Sequence, residues 1–250
     1  MTALEMKYEF LLNYDRIASQ AAPGYNNMEI STFLTQSQEN FIKTRYSGSN
    51  KYGTGFEESE KRRKDISNLV KYVTLVPSTY QVGVYPNGVM YELPIVQGTE
   101  VFVSIAEQVL VSSDDTCVDG TIIDIKAYTH NQYNANIKNP FKKPYSQLVW
   151  RIDSGLNPNT GARLHQLIGD GTYTLGNYYF KYIKKPRPII VPITNSIKTI
   201  DGYPASVQLD CELDSETHRE VVSDAIRIAS GVVQQQTQYQ IQGNENIKTE

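Results

Sequence analysis

The chain has 250 residues, 40% hydrophobic and 20% charged, the balance of an ordinary soluble globular protein with enough apolar residues for a sizeable core. Its 24 Lys and Arg against 27 Asp and Glu leave a net charge of −3, which excludes a general electrostatic attraction to nucleic acid. No run approaches the roughly 18 apolar residues of a membrane span, and the opening M-T-A-L-E-M-K-Y-E-F lacks the basic-then-apolar pattern of a signal peptide, so assembly in a cytoplasm is expected.

In chain order, residues 4–22 read as a helix, because Phe10, Tyr14, Ile17 and Ala21 form one apolar stripe. Pro23-Gly24 stops it. Asn27 is placed to cap a second helix carrying Ile30, Phe33, Leu34, Phe41 and Ile42. A third helix is expected from near Phe56. Glu57–Lys61, Glu58–Arg62 and Glu60–Lys64, each an acid four residues before a base, mark its solvated face. Ile66, Leu69, Val70 and Val73 form its apolar side.

After Val76-Pro77 the pattern turns to strands near 80–85, 89–96, 100–111 and 121–128, separated by turn residues. A short helix is expected over 130–139, with His130 as a candidate cap. Further strands follow at 146–152, 163–168, 172–184 and 188–193, with Gly169-Asp170-Gly171 as a turn and one more hairpin around Asp201-Gly202. The last helix starts after Asp214, a good N-cap, and carries Val221, Val222, Ala225, Ile226, Ala229, Val232 and Val233 on one stripe, with Gly231 near its end.

This order predicts an α+β fold. The N-terminal helices (1–76) and a C-terminal helix (211–233) pack together as a helical bundle, because their stripes cannot stay wet. A large antiparallel β region (77–210) is inserted between them, and residues 234–250 form a polar tail.

Nothing in the chain has the pattern of a catalytic, cofactor or metal site. His130, His165 and His218 have no ligand-like spacing to one another or to Cys117 and Cys211, which read as free thiols. Asp114, Asp115 and Asp119 lack the register of a calcium loop. No phosphate-binding, dinucleotide-binding or nucleophile-elbow motif occurs. Asp210, Glu212 and Asp214 stand at a helix start, where carboxylates complement the helix dipole.

The partner-binding candidates are two basic clusters beside prolines, Lys142-Lys143 in F-K-K-P and Lys184, Lys185 and Arg187 in I-K-K-P-R-P. Proline is expected to hold both extended with their charges exposed, towards an acidic protein surface or simply to solvent. The alternative is a nucleic-acid-binding module using the same strands. Thr237, Tyr239 and Ile241 alternate with glutamines at a strand period. They are expected to add to a sheet edge of a neighbouring molecule.

Several stretches together resemble one family. They are A-A-P-G-Y-N-N-M-E-I-S-T-F-L-T-Q-S-Q-E (Ala21–Glu39), N-K-Y-G-T-G-F-E-E-S-E-K-R (Asn50–Arg62), H-N-Q-Y-N from His130, N-P-F-K-K-P from Asn139 and Trp150-Arg151. Y-I-K-K-P-R-P-I-I (Tyr182–Ile190) and C-E-L-D-S-E-T-H-R-E-V-V from Cys211 complete the set. In order and spacing they resemble the ring proteins that join portal to tail in crAss-like bacteriophages. The resemblance implies a non-enzymatic virion structural protein without cofactors, forming a homo-oligomeric, dodecameric ring in the portal–tail assembly. It implies portal and other ring or tail proteins as partners, and viral DNA passing through the channel without sequence recognition. It implies no membrane association, and assembly in the bacterial host cytoplasm.

Overall fold

The structure, a computed structural model, describes residues 1–18, 24–48, 55–81, 85–114, 119–145, 147–194 and 197–232. The chain forms two compact units. One holds Met1–Leu69 together with the residues from Pro186 on, and the other holds Val70–Lys185.

The first unit is built on three long helices. Helix α1 spans Ala3–Ala18. Helix α2 spans Asn27–Ser47 and is capped by Asn26 rather than Asn27: the Asn26 side chain accepts from the Met28 and Glu29 amides while Glu29 reaches back to the Asn26 amide. Gly48, at φ 70°, closes α2 in the left-handed conformation. The third helix is much shorter than its charge pairs suggest. Helix α3 covers only Glu60–Asp65, a 3₁₀ turn follows at Ser67–Leu69, and the chain then turns into strand at Val70. Val70, Val73 and Thr74 are β-branched, and a waiting partner strand outweighs a helical period that their side chains tolerate only at a cost. Arg62, expected on the solvated face, is buried.

The C-terminal helix α5, His218–Val232, follows a 3₁₀ turn at Ser215–Thr217 whose N-cap is Asp214. It packs against α1 and α2 and buries Val221, Val222, Ala225, Ile226 and Ala229. Ser37 of α2 is fully buried and donates to the Val221 carbonyl at 2.6 Å, so a small side chain sets the close approach of these two helices. Tyr25 ties the ends together. Its ring meets Phe10, Tyr14 and Phe33, and its hydroxyl donates to the Ala229 carbonyl at 3.0 Å. A two-residue hairpin, Thr199–Ile200 with Tyr203–Pro204, turns at Asp201-Gly202, both at positive φ as a primed turn requires.

The second unit is a curled seven-stranded sheet. Its strands are β1 (Val70–Leu75), β2 (Gly88–Glu92), β3 (Val101–Ser112), β4 (Ile122–Ala127), β5 (Leu148–Leu156), β6 (Arg163–Ile168) and β7 (Thr174–Lys184), in the order β1-β7-β3-β4-β5-β6-β2. The sheet is mixed, not antiparallel, because β4 and β5 run parallel. Helix α4, His130–Asn136, lies between them in sequence and supplies the crossover that a parallel pair requires. Thr129, not His130, is its N-cap, in a capping box with Gln132.

Register shifts at three places along β3–β7 and one along β5–β6 bend the strands. The sheet curls far enough for Pro77, just past β1, to bridge Tyr91 of β2, with the Ser78 amide donating to the Met90 carbonyl at 2.8 Å. The inner face holds a core of Tyr91, Val109, Val149, Leu167, Tyr178 and Phe180. On the outer face Tyr128 stacks on Trp150 and Tyr133 of α4 meets it edge-on. Gly169–Gly171 links β6 to β7, but these strands are not hydrogen-bonded neighbours, so it is a connection and not a hairpin turn.

Candidate functional site

The proline-flanked segment does not behave as its composition suggests. Residues 188–193 are no strand. Instead Pro186–Pro192 runs extended along α2 as a strap, with Pro186, Pro188, Ile189, Ile190 and Val191 all buried. A buried backbone without a sheet must find other partners, and α2 supplies them from one polar row. Gln38 Nε2 donates to the Arg187 carbonyl at 2.9 Å, and Asn27 Nδ2 donates to the Pro192 carbonyl at 3.0 Å. Thr35 Oγ1 accepts the Ile189 amide at 3.1 Å, and Ser31 Oγ accepts the Val191 amide at 2.9 Å. Both hydroxyls place their own protons on α2 carbonyls one turn back.

The remaining strap amides are also matched. Arg187 donates to Glu212 Oε2 at 2.9 Å, Ile190 to the Leu209 carbonyl at 2.9 Å and Ile193 to the Ala205 carbonyl at 2.9 Å. Pro188 and Pro192 have no amide to satisfy. The prolines therefore limit the donors that must be buried rather than exposing charge.

The basic residues divide accordingly. Lys184 is buried at the end of β7 and Lys185 is half-buried, its amide donating to the Glu100 carbonyl at 2.7 Å. Arg187 is exposed, but its guanidinium pairs with Glu212 at 2.8 Å. These three do not form one open basic surface. Lys142 and Lys143 are exposed. They sit in a pinned turn after α4: Asn139 Oδ1 accepts the Phe141 amide at 3.0 Å, and the Asn139 carbonyl accepts the amides of Lys142 and Lys143, each at 3.1 Å. Pro144 is buried behind them, and Tyr173 donates to the Tyr145 carbonyl at 3.2 Å. The turn holds Phe141 almost entirely in solvent, 95% exposed. Thr237, Tyr239 and Ile241 lie outside the described residues, as does Cys117.

Two charged clusters escaped the sequence reading. In the first unit Arg45, fully buried, contacts Glu220 of α5 and Asp65 of α3 (3.2 Å) and lies over the Phe41 ring at 4.6 Å. Burial raises the pKa of both carboxyls, against the pull of Arg45. In the second unit Arg151 meets Glu107 Oε1 at 3.2 Å and His165 Nε2 at 3.1 Å, inside the curled sheet. The Tyr178 hydroxyl lies 3.0 Å from His165 Nδ1 and 3.1 Å from Glu107 Oε2. A carboxylate only accepts, so the hydroxyl donates to Glu107 and the imidazole Nδ1–H donates to the hydroxyl. Nε2 is left as the variable position. Unprotonated, it accepts from Arg151; protonated, it faces Asp153 Oδ1 at 3.1 Å. Burial, more than any neighbouring charge, lowers the His165 pKa. The hydrogen bond with His165, then the charges of Arg151, His165 and Arg163, hold Asp153 at about 2 against burial.

Both clusters were visible only as charged residues inside apolar strand or helix patterns, L-V-W-R-I and R-L-H-Q-L-I among them. The α2 row was visible as Asn27, Ser31, Thr35 and Gln38 at spacings of four, four and three. Among the described residues no group of three or more His, Cys, Asp or Glu side chains has the geometry of a metal site. Within these two clusters the charges close on one another and tie elements together.

Residues 1–241 match the family model described as phage tail ring protein 3/4. The chain belongs to that phage ring family. It is 30% identical over 240 residues to Ring protein 4/5 of Bacteroides phage crAss001, covering 94% of each chain. It is also 32% identical over 203 residues to Ring protein 3 of the same phage, covering 80% of this chain and 83% of that one. Two different ring proteins of one phage thus align with this ring-family chain at similar identity. The matched span includes both units, with the strap, the Phe141 turn and both buried charge clusters.

Proposed function

We propose that this chain is a structural subunit of a phage particle, one of many copies that close into a ring in the portal–tail assembly. The observation that carries this reading is the family match over residues 1–241, together with two relatives that are themselves named ring proteins. In this reading the ring is dodecameric, stacks against portal and other ring or tail proteins, and surrounds the channel through which viral DNA passes without sequence recognition. It does so without catalysis or cofactor, after assembly in the host cytoplasm.

The internal chemistry supports such a role. Buried networks that cross between elements, Arg45 with Asp65 and Glu220 in one unit and Arg151 with Glu107 and His165 in the other, hold shape rather than offer reactive groups to a substrate. The burial of Lys184 and the pairing of Arg187 with Glu212 take one of the two basic clusters from the nucleic-acid-binding reading and leave it only Lys142 and Lys143. The strand-patterned Thr237, Tyr239 and Ile241 are proposed to reach a neighbouring subunit in the assembled ring. Symmetry-resolved electron microscopy of purified particles tests the whole reading. This chain should appear as a closed ring between portal and tail. Finding it in the capsid shell, or absent from particles, would refute the proposal.

A further inference from the structure

A closed ring needs a heterologous contact, in which one patch of a subunit binds a different patch on the next. Two exposed apolar features suit those two roles. The first is the pinned turn from Asn139 to Tyr145, a convex knob with Phe141 at its tip, 95% exposed, and Tyr145 half-exposed behind it. Its own hydrogen bonds fix it, so docking costs little ordering. A solvent-held Phe on a rigid turn is the form of an interface anchor. Lys142 and Lys143 flank it.

The second feature is a stripe on α1 that faces away from the core. Ala3, Met6, Phe10 and Tyr14 are the buried row of this helix. Leu4, Tyr8 and Leu12, spaced by four, form a second apolar row exposed at 37%, 67% and 60%. Glu5 and Glu9 stand one position after Leu4 and Tyr8, so they line one flank of that row; Lys7 lies on the other flank. Glu5 is held in place by its bond from the Thr2 amide at 2.8 Å, and Glu9 lies 3.7 Å from Arg219. The knob is apolar flanked by two bases, and the stripe is apolar with two acids on one flank and Lys7 on the other.

We propose that the Phe141 turn of one copy docks on the Leu4–Tyr8–Leu12 stripe of the next copy, with Lys142 and Lys143 facing Glu5 and Glu9. The occupant of each patch is a second copy of this chain. This inference rests on the ring reading, and its test separates the two. In particles carrying the full chain with Cys117→Ser, Glu5→Cys and Lys142→Cys, which leave Phe141 and the Leu4–Tyr8–Leu12 row intact, mild oxidation yields a ladder of covalent oligomers, because every copy bears both halves of the contact. Either introduced cysteine alone yields no covalent dimer, and Cys211, partly buried with its thiol pushed up to about 12, gives little background. Imaging particles of the parent chain reports the ring independently. A ring without a ladder overturns the docking pair and leaves the ring standing. A covalent dimer from a single cysteine means that like meets like, and also overturns it. Particles without a ring overturn both. In parallel, Phe141→Ala should lower incorporation into particles about tenfold while the free chain melts as the parent does; undiminished incorporation overturns the proposal.

Discussion

Thr35 offers a test in which burial and hydrogen bonding predict opposite orders. Its hydroxyl accepts the Ile189 amide of the strap at 3.1 Å while donating to the Ser31 carbonyl at 2.8 Å. Thr35→Val keeps shape and volume but removes the acceptor, so a buried N–H loses its partner. That loss costs about 1–3 kcal/mol, and at about 2–4 °C per kcal/mol for a chain of this size the melting temperature falls roughly 4–8 °C for a mid-range value. Thr35→Ser keeps the acceptor and loses only a methyl, about 1 kcal/mol. If packing alone mattered, Thr35→Val would be neutral and Thr35→Ser the worse substitution. Thr32 is the control. It is exposed and makes the same back-bond, to the Met28 carbonyl at 2.9 Å, but meets no strap amide. Thr32→Val should stay within about 0.5 kcal/mol of the parent. The assay is thermal and urea unfolding of the full chain, followed by its helical signal. A Thr35→Val chain as stable as the Thr35→Ser chain or the Thr32→Val control would refute the strap account.

Other outcomes follow from the same geometry. Ile226→Asp places an unpaired charge where α5 meets the other helices, Ile226 being 1% exposed, and should cost roughly 3 kcal/mol or more; a parent-like melting curve would contradict that packing. His165 and His218 both have pKa values lowered chiefly by burial, and protonated His218 would face the Met1 ammonium 2.8 Å away. As pH falls through the ordinary histidine value the unfolded chain takes up protons first, so stability declines on going from pH 7.5 towards 6. His165→Gln with His218→Gln should flatten that response in chemical denaturation, and an unchanged slope would exclude these two groups. Burial pushes the Cys211 thiol up to about 12. Mass spectrometry should therefore find Cys211 unmodified by iodoacetamide in the native chain and modified once urea unfolds it; rapid native labelling would place the thiol at the surface.

The sequence by itself determined the local elements whose signals are local. The apolar rows of α1, α2 and α5, the Asp214 cap, the Asp201-Gly202 hairpin and most strands of the sheet are legible because a helical period, a cap and a turn each depend on neighbours a few residues away. The ring family was legible in scattered motifs as well. What only tertiary structure decided were the choices settled by distant partners. Val70 and Val73 read as part of the apolar side of a helix, yet β7 captures Val70–Leu75 as strand β1. A parallel β4–β5 pair cannot be told from an antiparallel one by strand composition, since its direction is set by the α4 crossover. I-K-K-P-R-P-I-I-V-P carries the composition of an exposed, charged ligand segment. It becomes a buried strap because Asn27, Ser31, Thr35 and Gln38, some 150 residues earlier in the chain, present donors and acceptors at its own spacing. A polar side chain on a helix does not reveal in sequence whether it meets water or a buried backbone; that depends on what the rest of the chain brings against it.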